Sequence, residues 1–73
     1  MLTIRDLIEQ TEVQGTVSVQ QITNDDVVKV YKSPEYGGLH EYKALEPYLD
    51  KEIKYIYSEK NAIDDVLLVI EVE

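Results

Sequence analysis

Val66-Leu67-Leu68-Val69-Ile70 is apolar at every position, and the rest of the chain arranges itself around that stretch. A strand of this composition presents apolar side chains to both faces, so it belongs in the middle of a sheet with cover on each side. The run is far too short to span a bilayer. Just upstream, Glu52-Ile53-Lys54-Tyr55-Ile56-Tyr57 is a β-branched and aromatic strand, and Ser58 to Asp65 reads as a polar connection between the two. Together they predict a hairpin whose second strand runs from Val66 to Val72.

Earlier in the chain the same pattern recurs. Thr16-Val17-Ser18-Val19-Gln20 alternates as a half-buried strand after the break at Gly15. Asn24-Asp25 supplies turn chemistry, and Val27-Val28-Lys29-Val30-Tyr31 resumes an extended pattern, which predicts a second antiparallel hairpin. Before it lies a short helix. Thr3 caps its start, Asp6 stands three residues on in a capping-box arrangement, Leu2 is placed to staple against Leu7, and Ile4, Leu7 and Ile8 fall on one face. The helix should end near Gln10 or Thr11.

The middle is less determined. Ser33-Pro34-Glu35-Tyr36-Gly37-Gly38 is a loop by composition, Leu39 to Ala44 reads as a short strand or coil, and Glu46 to Asp50 suits a single helical turn around Pro47. The expected fold is therefore α+β: one domain over residues 1–73, with a short N-terminal helix on a small, mainly antiparallel sheet of about four strands in two hairpins. With one helix available, the second cover for Val66 to Ile70 falls to the middle segment or to another copy of the protein.

Composition narrows the function classes. A chain of 73 residues buries about 60% of its unfolded surface, too little interior for a deep catalytic cleft between lobes. The absence of cysteine points to a reducing, cytoplasmic setting and removes thiolate chemistry. Met1 to Gln10 carries Arg5, Asp6 and Glu9, a pattern unlike a signal peptide. Fifteen acidic against seven basic residues give a net charge of −8, which phosphate backbones and anionic headgroups repel. Neither direct nucleic-acid binding nor membrane binding is expected, and no cofactor is implied.

No catalytic constellation emerges. His40 is the single histidine and sits in a loop beside Glu41; it reads as an exposed loop residue rather than a base or ligand, because sites need convergent groups. Asp25-Asp26 and Asp64-Asp65 fall at predicted turns without the spaced oxygens a calcium loop requires, and Gly37-Gly38 lacks the rest of a phosphate loop. The aromatic inventory is the unusual feature: six tyrosines, Tyr31, Tyr36, Tyr42, Tyr48, Tyr55 and Tyr57, with no Phe or Trp. Tyrosine combines large contact area with a polar tip and is favoured at interfaces, although it also lines the rims of small cores. Tyr36, Tyr42 and Tyr48 in the middle segment, with Tyr55 and Tyr57 sharing a strand face with Ile53, are the candidate partner-binding residues.

The opening Thr3-Ile4-Arg5-Asp6-Leu7-Ile8-Glu9, the stretch Asp50 to Ser58 and the close Leu68-Val69-Ile70-Glu71-Val72-Glu73 resemble small acidic proteins carried on conjugative transposons and phages of intestinal Firmicutes. That resemblance implies a mobile-element setting and no activity. The functional expectation is a non-enzymatic accessory protein that binds another protein or itself. The alternative is an acidic nucleic-acid mimic that inhibits a DNA-processing or defence protein. A third class, an enzyme or metal-dependent module, has only His40 and the Asp pairs behind it.

Overall fold

The computed structural model describes residues 1–24, 26–60, 62–63 and 65–73. Its order is a helix (α1, Ile4–Gln10), two strands (β1, Val17–Ile22; β2, Val27–Lys32), a 3-10 turn (Lys43–Tyr48) and two further strands (β3, Ile53–Lys60; β4, Val66–Val72). The helix start comes from local chemistry. The Thr3 hydroxyl accepts from the Asp6 amide at 3.2 Å, and the Asp6 carboxylate accepts from the Thr3 amide at 3.0 Å, so two otherwise orphaned donors are satisfied reciprocally.

The strands form one sheet in the order β2-β1-β4-β3. β1–β2 and β3–β4 are antiparallel, while the inner pair β1–β4 is parallel, with Val17 opposite Leu68 and Val19 opposite Ile70. The two hairpins thus lie side by side through their inner strands, and β4 is central. β3 begins at the opposite end of the sheet from where β2 stops, so residues 33–52 must cross its full length. That crossing segment lies on the same side as α1. Leu39, Leu45 and Leu49 pack in one buried cluster with Ile4, Val17, Val19, Ile70 and Val72.

Three expectations change here. The polar stretch after Tyr57 is not all connection: β3 continues to Lys60, with Ser58, Glu59 and Lys60 paired to Leu68, Leu67 and Val66. Backbone pairing with β4 outweighs the weak strand propensity of these side chains. The middle segment also supplies no second cover. It thickens the helix side and leaves the other face of the sheet without a layer among the described elements. In the middle itself, Leu39 to Tyr42 is irregular, and the helical turn starts earlier than expected, at Lys43.

The two outer strands each carry a register shift. In β2 it places Tyr31 opposite Val19 and Lys29 opposite Gln20. In β3 it places Ile53 opposite Val72 and Tyr55 opposite Glu71. The extra residue re-aims the side chains after it, as a β-bulge does. Ile53 therefore faces the core, whereas Tyr55 and Tyr57 face the open side, so the three do not share a face as the alternation predicted. Asp25, Asn61 and Asp64 lie outside the described residues, and with them one member of each expected turn pair.

Candidate functional site

The five candidate tyrosines divide into three environments. Tyr42 is half-buried and belongs with the core: its ring lies 4.8 Å from that of Tyr31, and its hydroxyl donates towards the Gly37 and Gly38 carbonyls at 3.3 and 3.4 Å. Burial raises the Tyr31 hydroxyl above the ordinary tyrosine range, with Tyr42 adding to the shift. Tyr48 is half-buried at the end of the 3-10 turn. Tyr36 stands apart, 76% exposed at φ 58°, in a turn closed by the Gly37 amide on the Pro34 carbonyl at 2.8 Å. A non-glycine residue in the left-handed region costs roughly 1 kcal/mol, and Tyr36 bears that strain with its ring out in solvent.

Tyr55 and Tyr57 remain, and they have company. Tyr55, Ile56 and Tyr57 are 62%, 45% and 40% exposed in the middle of β3. Ile56 points to the helix side, opposite the fully buried Ile70, but lies beyond the reach of the covering layer. Ile56 is not among the candidate residues that tyrosine usage singles out. Its apolar character on the face opposite both rings was the signal that both sides of this strand are apolar.

The open face has a polar centre. Ser18 and Gln20 are buried there beside Val69, which is fully buried although no layer of the described elements lies above it. In register order Lys32, Ser18, Val69 and Tyr57 form one row, and Lys29, Gln20, Glu71 and Tyr55 the next. The Tyr57 hydroxyl donates to Glu71 Oε1 at 2.6 Å, and Gln20 Nε2 donates to the same oxygen at 3.3 Å. That bond to a carboxylate holds the Tyr57 hydroxyl above its usual range, and burial adds to it. A hollow of about 460 Å³ on this side is lined by Ser18, Lys29, Lys32, Glu59 and Leu67.

His40 is exposed, its ring edge-on to Tyr42 at 5.8 Å. Among the described residues no group of three or more His, Cys, Asp or Glu is placed to hold a metal ion. No described helix is long and apolar enough to cross a membrane. No known protein family matches the chain, and no curated protein or solved structure does so either.

Proposed function

We propose that this chain is a non-enzymatic protein-binding module, an accessory of a mobile element acting in the cytoplasm of its host, and that β3 is its contact surface. The observation that supports this reading is the exposure of Tyr55, Ile56 and Tyr57 together, apolar on both faces of an outer strand. Edge strands in stable proteins are ordinarily blunted by charge or by a covering loop, and an exposed apolar one is a site for another chain. The mimic reading draws on the net charge of −8, but a mimic needs an unbroken acidic surface. β2 carries Lys29 and Lys32 with no acid, and β3 carries Lys54 and Lys60 against Glu59.

The test is co-purification from the host, followed by binding of the captured protein to purified variants. Tyr55→Ala should fold normally and weaken binding by about 2 kcal/mol, the effect of truncating a true aromatic anchor. Tyr36→Ala, on a separate loop, should leave affinity unchanged. Equal affinity for wild type and Tyr55→Ala would remove β3 as the contact surface.

A further inference from the structure

We infer that β3 pairs antiparallel with β3 of a second copy about a two-fold axis through Ile56, joining two four-stranded sheets into one of eight strands. The inference rests on the reading of β3 as a protein-binding surface and names its partner as this chain itself.

The edge has defined limits. At its start the Ile53 amide donates to the Leu2 carbonyl at 2.8 Å, and Thr3 bridges Glu52, so the first residues of the edge are already occupied. From Lys54 onward no described residue pairs with the outer side of β3. The opposite edge of the sheet is defended differently. β2 is shorter, bulged, and carries Lys29 and Lys32 along its length, the charged and irregular character that blocks edge pairing. β3 confines its charge and its bulge to its ends.

Side-chain identity selects the register. A two-fold normal to the sheet pairs only residues that share a face, so the axis falls opposite one residue. Centred on Ile56, it sets Ile56 against Ile56, Tyr55 against Tyr57 twice on the open face, and Lys54 against Ser58. Every pair is apolar or uncharged on at least one side, and aromatic cross-strand pairs are among the favourable ones. Centred on Tyr57, it would set Lys54 against Lys60; centred on Tyr55, it would set Lys54 against Ile56. Both are worse.

Charge permits the contact despite a net of −8 on each copy. The acids sit mainly in loops and chain ends, whereas β3 itself carries two lysines and one glutamate. Lys54 is further neutralised by Glu52 at 2.8 Å. The two copies therefore meet along an edge that does not repel itself.

Because the protein has no cysteine, single cysteines report the register directly. Opposed residues in an antiparallel pair have Cα atoms about 4.5–5.5 Å apart, inside the disulfide window of about 4.4–6.8 Å. Sedimentation of the purified chain at about 100 μM, where weak dimers are populated, should give twice the monomer mass. Ile56→Lys, a change at a half-exposed site, should keep the circular-dichroism spectrum and sediment as a monomer. Ile56→Cys should oxidise to a covalent dimer much faster than Tyr36→Cys, and mixing Lys54→Cys with Ser58→Cys should cross-link the two. A monomer mass for the wild type, or equal oxidation rates for Ile56→Cys and Tyr36→Cys, would overturn self-pairing. Either result leaves the proposed function standing if Tyr55→Ala still loses a partner captured from the host.

Discussion

Gly38 shows how one residue ties the crossing segment to the sheet. Its amide donates to the Gly15 carbonyl at 2.7 Å, and its φ of +72° lies in the region that L side chains rarely adopt. A Cβ built there would stand 2.6 Å from the Val13 carbonyl oxygen, a backbone atom that cannot step aside alone. Gly38→Ala therefore adds a steric clash to backbone strain, and the expected loss is about 2–4 kcal/mol, a large share of the stability of a small domain. Gly15 gives the control. It too has a positive φ, +96°, but a Cβ there meets nothing within 4 Å, so Gly15→Ala carries the strain alone, about 1–2 kcal/mol. Urea melts of the two variants check this, and Gly15→Ala proving the more damaging would contradict the packing described. The double glycine was legible as part of a loop, but that one of its members passes against a backbone carbonyl from before β1 was not, since nothing local encodes that meeting.

At the scale of elements, α1 is clamped to the crossing segment at both backbone and side-chain level. The Arg5 amide donates to the Leu49 carbonyl at 3.0 Å, and its guanidinium holds Asp50 through two bonds of 2.7 and 3.1 Å. These bonds and the Arg5 charge keep the Asp50 carboxyl below its usual range, and Lys54 does the same for Glu52. A carboxyl with a lowered folded value stabilises the native state above its unfolded value, and that contribution is lost as pH falls through the folded one. Asp50→Asn should thus melt below the wild type at neutral pH. The gap should narrow in acid as pH falls through that lowered folded value, where the wild-type carboxyl loses its charge as well. A gap that persists unchanged into acid would mean the clamp is not electrostatic. The capping box was readable from Thr3 and Asp6 because its partners lie three residues apart. The Arg5–Asp50 pair, 45 residues apart, was not.

For the whole molecule the decisive quantities are its charge and its dimensions. The structure extends 32 by 30 by 20 Å, and at about 0.01 M salt the Debye length is about 30 Å, so every charge feels every other. At about 0.1 M it shrinks to about 10 Å, and the mutual repulsion behind a net of −8 is largely screened. The three ion pairs described are exposed and individually weak, so repulsion outweighs them. The melting temperature should accordingly rise as salt is raised over this range. A fall would mean that the exposed pairs matter more than the net charge.

The sequence by itself determined the local pieces. The capped helix, the two hairpins and the central position of Val66 to Ile70 all rest on neighbours in the chain or on alternation, which residue identity encodes directly. Tertiary structure decided the parallel meeting of β1 with β4, the side on which residues 33–50 settle, and the faces of Ile53 and Tyr55. Each depends on contacts between distant segments, and a single bulged residue reverses an alternation that composition leaves unmarked. The candidate surface divides the same way. Tyr55 and Tyr57 were legible as a pair, while Ile56 joined them, and Tyr42 left them for the core, only because α1 and the crossing segment cover part of one face and reach only the start of β3.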